Sequence, residues 1–270
     1  MSGSISDRVP DGAQIILYRD DRATYLHVYR PGGRFECHHG LLDLPAELHW
    51  GDVLRTRKGV DMAVLRPTHA LTLNRIKRRT TVVYNREAGR IALELGVRSG
   101  GRYGEVGSGS GAMTTLLASL VGDGGRVYSR EREPEHLEQA RKNIARAGLS
   151  GRVDFELRDV ASEGFGVTGL DGVFVDVPAP WDLVPAAHAA LSGGAPWVSL
   201  SPTVDQIVRT DQALFRAGFV RRRMIELFER EWKLFPGRMR PADRMVGHTA
   251  FLLVASKVND ATFAAQERPR

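Results

Sequence analysis

The run RYGEVGSGSGAMTTLLASLVG, residues 102–122, limits the possible folds of this 270-residue chain more than any other segment. A strand-like stretch enters three alternating glycines, Gly107, Gly109 and Gly111, and leaves as an apolar helix. Glycine tolerates positive φ and lets a ligand approach the backbone closely. The same alternation continues on both sides. EAGRIALELGV is apolar at helical spacing and stops at Gly96. RVYSRE reads as a strand. EHLEQARKNIARAGL sets Leu137, Ala140, Ile144 and Ala147 on one helix face and stops at Gly148. The strands VDFELRD, LDGVFVDVP and APWVSLSP follow. Strands alternating with helices predict an α/β fold: a Rossmann-like, doubly wound sheet, mostly parallel, with helices on both faces. VRRRMIELFEREWKL and TAFLLVASKV read as two long strands forming an antiparallel C-terminal pair.

The first part of the chain has a different rhythm. QIILYR, TYLHVYR, DVLRT and DMAVLR are β-rich runs separated by DDR, PGG and RKG, which is turn chemistry. The predicted division is a small N-terminal β domain over 1–67, the α/β domain over 68–258 beginning with a basic connector, and a disordered tail over 259–270. Hydrophobic residues at 42% and charged residues at 26% exclude a disordered chain. Cys37 is the single cysteine, so no internal disulfide forms and a cysteine-based zinc site is disfavoured. Cys37, His38 and His39 are consecutive on a strand and point to opposite faces, so no metal site is expected. The start lacks an apolar signal region, and no window of about 18 apolar residues occurs. The smoothest stretch, 183–203, is broken by Pro185, Gly193, Gly194, Pro196 and Pro202. A cytoplasmic protein is the expectation, with no membrane partner.

The net charge is +6, with 38 Lys and Arg against 32 Asp and Glu. Residues 52–90 carry ten basic and three acidic side chains, and residues 216–244 carry nine and four. Clustered positive charge favours a polyanion, because each neutralised phosphate releases counterions. A solvated basic face is the plainer alternative.

Acidic residues recur where strands of the α/β region end. Glu105 lies two residues before Gly107, where a carboxylate suits a cationic ligand group. Glu131 ends the second strand and would accept from both ribose hydroxyls. Asp159 ends the third, where it would accept from an adenine amino group. Asp176 ends the fourth and opens DVPAPW. Ligands of open α/β sheets bind beyond these carboxyl ends. Helix capping is the bland alternative for each carboxylate. His136, on the helix after Glu131, is a ligand candidate or a solvated histidine. Through Ala112 the loop also fits the dinucleotide pattern G-x-G-x-x-A, so a nicotinamide-dependent oxidoreductase remains open on the loop alone.

The order EVGSGSG, VYSRE, RD, DVPAPW, SPT, PGRMRPADRMVGHTAFLLVASK resembles the tRNA adenine-N1 methyltransferases that act on adenosine 58 of the T-loop. The glycine loop and acidic strand ends are common to most class I S-adenosylmethionine-dependent methyltransferases. The segments D-x-P-x-P-W and R-P-x-x-R-x-x-G-H-T (240–249) are narrower, and RRTTVVY (78–84) and GGRFECHHG are also similar. The resemblance covers about residues 8–258. It implies S-adenosyl-L-methionine as cofactor, tRNA as partner and a homotetramer. It also implies roles for residues. Gly107, Ser108, Gly109 and Ser110, within the loop Glu105 to Gly111, would line the methionine part of the cofactor. Glu131 would hold the ribose, with His136 close by, and Asp159 would sit near the adenine. Asp176 would be the catalytic carboxylate, bridging cofactor and target base, and Tyr84 would approach that base. Trp181 would pack under the loop or stack on a base. The chain departs from the family at Arg102-Tyr103-Gly104, where aliphatic residues are usual and glycine weakens a central strand. It departs again at Arg130 and at Asn85. The alternative function is a catalytically silent tRNA-binding or assembly subunit on the same fold.

Overall fold

In the first part of the chain, short runs with one buried face pair as antiparallel strands. The computed structural model describes residues 7–76 and 83–264. Its contacts divide into two units, Met1–Arg75 and Ile76–Arg270. In the first unit β1 (Gln14–Asp20), β2 (Ala23–Val28), β5 (Val53–Arg55) and β6 (Asp61–Leu65) form an antiparallel sheet in the order β2-β1-β6-β5. The hairpin of β3 (Arg34–Cys37) and β4 (Gly40–Asp43) is a separate two-stranded sheet. Ile15, Leu17, Leu42, Leu48, Met62 and Val64 fill the core. The unit closes with α1 (His69–Asn74), whose cap Thr68 accepts from the Leu71 amide. The division therefore falls after α1 rather than at 67/68.

The second unit alternates as its sequence pattern requires. In chain order it contains α2 (Asn85–Leu95), β7 (Arg102–Val106), α3 (Ala112–Val121), β8 (Arg126–Glu131), α4 (Pro134–Arg146), β9 (Val153–Leu157), α5 (Val160–Glu163), β10 (Gly172–Val175), α6 (Val184–Ala190), β11 (Pro196–Ser201), α7 (Val204–Arg216), β12 (Phe219–Glu226), β13 (Trp232–Phe235), β14 (Arg238–Pro241), β15 (Phe251–Lys257) and α8 (Ala261–Ala264). Seven strands form one sheet in the order β12-β15-β11-β10-β7-β8-β9. The five from β11 to β9 are mutually parallel, and β15 is antiparallel to both β11 and β12. The central parallel strands β7 and β10 are buried on both faces, as covered parallel strands must be, while β9 lies half-exposed at the edge. No described helix is long and apolar enough to cross a membrane.

The unusual first strand is accommodated by its neighbours. Tyr103 is fully buried; its hydroxyl donates to the Gly96 carbonyl at 2.9 Å and accepts from the Arg98 amide at 3.1 Å. A Cβ on Gly104 would lie 2.8 Å from Leu170 Cδ1 and 3.0 Å from Phe165 Cε1, so neighbouring side chains already occupy that space.

Two elements differ from the sequence expectation. The run VRRRMIELFEREWKL is not one long strand. β12 ends at Glu226, opposite Phe251, the first residue of β15, its only partner among the described residues. Past that point the chain has no ladder to join. Residues 232–241 pair with each other instead, as the β13–β14 hairpin turning at Gly237, φ +71°. At the C-terminus, residues 261–264 form a helical turn rather than irregular tail, and residues 265–270 lie outside the described ones.

Candidate active site

β7 and β10 are adjacent, yet the chain runs from β7 to β8 and β9 on one side and from β10 to β11 on the other. The loops leaving their carboxyl ends diverge, which opens a crevice in sheets of this kind. A cleft of about 750 Å3 lies there, lined among others by Gly107, Gly109, Glu131, His136, Asp159 and Asp176.

Backbone contact forms the floor of the cleft. The Gly107 amide donates to the Arg130 carbonyl, and the Asp176 amide donates to the Val106 carbonyl. Gly107 has φ +89°, and a Cβ there would lie 2.1 Å from the Asp176 carbonyl oxygen. Only glycine permits the two strand ends to meet so closely. Gly111 serves another purpose. It begins α3, borders neither the cleft nor the small cavity behind the loop, and packs against Ala140 of α4. The buried Asn143 of α4 donates to the Ser110 carbonyl at 2.8 Å and pins the loop from behind. Sequence reasoning missed Asn143; the available signal was a polar residue on the face that carries Ala140 and Ile144.

Glu105 lies behind the loop rather than on the main cleft. It is buried, and one oxygen accepts from the hydroxyls of Thr114 and Ser129. Ser129 in turn pairs with Ser108 at 2.6 Å. With Ser108, Ser110, Met113, Val83 and Asp176, Glu105 borders a small cavity of about 20 Å3. Burial pushes its carboxyl up to about 7, against the pull of the two hydroxyls.

The other carboxylates combine capping with exposure to the cleft. Glu131 accepts from the Gly109 amide on one oxygen, at 3.1 Å, and from the Arg132 and Glu133 amides on the other. Asp159 caps α5, accepting from the Ala161 amide, and its exposed carboxylate borders the cleft. Asp176 differs from both. Among the described residues no donor reaches its side chain. Burial, and then the nearby Glu131 charge, push its carboxyl up to about 6. An acceptor without a donor, in a partly desolvated cleft, is a place for a ligand's N–H.

Arg130 is 2% exposed, and its guanidinium donates to the carbonyls of Phe165 and Asp154. Glu156 stands 3.3 Å from it. The arginine ties β8 to the β9 edge and is neutralised there, leaving the cleft acidic. His136 lines the cleft wall. Tyr84 caps the start of α2 and is 48% exposed, bordering neither cavity. Residues 78–82 of the RRTTVVY segment lie outside the described residues.

Many of the basic side chains are committed within the protein. Arg55 pairs with Asp61, Arg57 with Asp43, Arg90 and Arg223 with Glu94, and Arg222 with Asp211. On and beside the β13–β14 hairpin, Arg230, Arg238 and Arg244 have no ion-pair partner among the described residues. They stand beside exposed Trp232, Leu234, Phe235 and Met239.

The profile of the family described as "tRNA methyltransferase complex GCD14 subunit" matches residues 62–245. The chain is 33% identical over 244 residues to a tRNA (adenine(58)-N(1))-methyltransferase, TrmI, from Thermus thermophilus, covering 90% of this chain and 95% of the relative. Among solved structures, a SAM-dependent O-methyltransferase from Thermotoga maritima superimposes with a TM-score of 0.83 at 32% identity, covering 100% of this chain and 99% of that one. The tRNA (m1A58) methyltransferase TrmI from Aquifex aeolicus follows with a TM-score of 0.76 at 26% identity, covering 93% and 99%.

Proposed function

We propose, from the premise that this chain belongs to the tRNA methyltransferase complex GCD14 subunit family, that it transfers a methyl group from S-adenosyl-L-methionine to N1 of adenosine 58 in the T-loop of tRNA, giving 1-methyladenosine. The observation that carries this reading is the unpartnered Asp176 carboxylate at the β7–β10 crevice. The acidic cleft and the glycine cradle suit a ligand with a cationic centre, a ribose and an adenine. When bound, S-adenosylmethionine supplies an electrophilic methyl group on a sulfonium.

The chain's own task is to orient and activate a weak nucleophile. The N1 lone pair of adenine is delocalised into the ring and its amino group. Asp176, accepting a hydrogen bond from the exocyclic N6, pushes electron density toward N1. It also stabilises the positive charge that develops there. The ionised form is the stronger acceptor and the one that offsets the developing positive charge, so a carboxyl titrating at about 6 is competent at neutral pH and weakened in acid. Glu131 holds the ribose from the cleft wall, with His136 beside it. Asp159 uses one oxygen to cap α5 and offers the other to an adenine amino group. Glu105 with Ser108, Ser129 and Thr114 sets the loop from behind. A target base must leave its stack to reach the cleft; the exposed ring of Tyr84 borders neither cavity and would approach that base from outside the cleft.

The unpaired arginines near the β13–β14 hairpin supply phosphate contacts. The exposed apolar side chains on the same hairpin exceed what an isolated surface needs, and self-association into a homotetramer would cover them.

The test is incubation of the protein with labelled S-adenosylmethionine and an unmodified tRNA transcript, followed by nucleoside identification, with a transcript carrying guanosine at position 58 in parallel. Labelled 1-methyladenosine from the first transcript alone is the expected result. Label in an O-methylated nucleoside would replace the N1 reading. Cofactor binding without transfer would favour a missing partner subunit. Failure to bind cofactor would favour a silent subunit; the complete set of Glu131, Asp159 and Asp176 argues against that outcome.

A further inference from the structure

The loop that carries Asp176 is held mainly from one helix. α7 begins with a capping box: the Thr203 hydroxyl accepts from the Gln206 amide, and Gln206 Oε1 accepts from the Thr203 amide at 3.2 Å. The same side-chain amide has a second partner. Gln206 Nε2 donates to the Pro178 carbonyl at 2.9 Å, two residues beyond Asp176. Both backbone partners have fixed polarity, so the amide orientation is unambiguous: the N–H of Thr203 needs the oxygen and the C=O of Pro178 needs the nitrogen. One turn further along α7, the Arg209 guanidinium lies 3.7 Å from the centre of the Trp181 ring. Residues three apart share a helix face, so Gln206 and Arg209 grip DVPAPW at its middle and at its last residue. The SPT segment that starts α7 is fastened on its other side as well. His248 bonds to the Pro202 carbonyl at 2.9 Å and to Glu226 at 2.8 Å.

We propose that Gln206, assisted by Arg209, is a positioning residue that sets the Asp176 carboxylate by holding the Pro178 carbonyl and the Trp181 ring against α7. The inference rests on the reading of Asp176 as the carboxylate that engages the target base. Asp176 has no donor of its own among the described residues, so the position of its side chain depends on how the loop is fixed. Gln206 performs two separable tasks. Only its nitrogen reaches the loop, and only its oxygen completes the cap.

Gln206→Glu divides these tasks. Glutamate is a natural capping-box residue at this helix position, so the cap survives. The donor to Pro178 is replaced by an oxygen that repels the carbonyl. The experiment measures kcat, KM for an unmodified tRNA transcript and Tm in the full-length parent, Q206E, Q206A and D176N, with S-adenosylmethionine saturating. Q206E is expected to lose about 10- to 100-fold in kcat, the scale of a misplacement of roughly 1 Å. Its KM should stay within about twofold of the parent and its Tm within about 2 °C. Q206A should lose similarly in kcat and also melt lower, because the Thr203 amide loses its acceptor in the capping box. A parent-like kcat in Q206E beside a slow D176N would overturn the positioning role and leave the reading of Asp176 standing. A parent-like kcat in D176N would overturn both. A loss in Q206E accompanied by a matching fall in Tm or rise in KM would mark Gln206 as a purely structural residue and end the proposal.

Discussion

At the glycine loop, Glu105, Ser108, Thr114, Ser129 and Asn143 are buried, and each is bonded to another side chain or to the backbone. On the β13–β14 hairpin the arrangement is reversed, with Leu234 and Met239, paired across the ladder, 75% and 71% exposed. Both regions belong to one unit, and the contrast follows from what each must do. The cleft must have its polar groups oriented before a ligand arrives, since reorganising them during reaction raises the barrier. The hairpin can complete its packing only against something else.

Substitutions should therefore act differently in the two regions. The largest effect belongs to Asp176→Asn. Methyl transfer should fall by about 100-fold or more, the scale seen when a group aimed at developing charge is lost. Equilibrium dialysis should still show S-adenosylmethionine bound within a few-fold of the parent. Removing a carboxylate that burial holds protonated up to about 6 should also raise the Tm of the unliganded protein at pH 8. Unchanged turnover would remove Asp176 from the chemistry.

Salt should separate the regions next. Affinity for tRNA should fall by at least about 100-fold between roughly 50 and 200 mM salt if several arginines meet phosphates. Cofactor affinity should move little over the same range, and parallel slopes would contradict the division. Replacing the cross-strand pair Leu234 and Met239 by serine should reduce the mass measured by light scattering. It should also raise KM for tRNA by about tenfold, a common cost at the centre of an interface. A weakened cofactor site in that variant would mean that the hairpin and the cleft are not independent.

The smallest effect probes the cleft's hidden support. The Glu105 carboxyl is raised from 4.5 to about 7 by burial. The stability tied to its protonated form is complete below about 4.5 and lost as pH climbs through 7. Glutamine still accepts from Thr114 and Ser129 but cannot ionise. Glu105→Gln should therefore match the parent's stability closely at pH 4.5 and exceed it at pH 8 by on the order of 3 kcal/mol, read from denaturant unfolding. An equal difference at both pH values would show that ionisation is not the cause.

Much of the sheet and most of the cleft carboxylates were legible because their signals are local. Glycines at 107, 109 and 111 mark a strand-to-helix turn, and acidic residues at strand ends follow from the order of the runs. What stayed hidden depends on partners distant in sequence. Nothing near Glu226 announces the end of β12; the end is set by where β15 starts. α7 carries a readable capping box at Thr203 and Gln206, yet the bond from Gln206 to Pro178 spans 28 residues and exists only in three dimensions. Glu105 looks like a ligand residue in the sequence because its burial behind the loop is a tertiary fact. Arg130 looks like an intrusion near the ribose position until the carbonyls of Phe165 and Asp154 account for it.

Gly104 has a consequence for any exchange of the central strand. Leu170, Phe165 and Val173 crowd the space that a side chain at this position would fill. An aliphatic residue placed there alone would force these side chains to shift, and trimming Leu170 alone would leave a void. Each single change carries a packing cost that the paired change reduces. A graft of β7 that brings a larger residue to this position therefore packs best when the facing residues come with it.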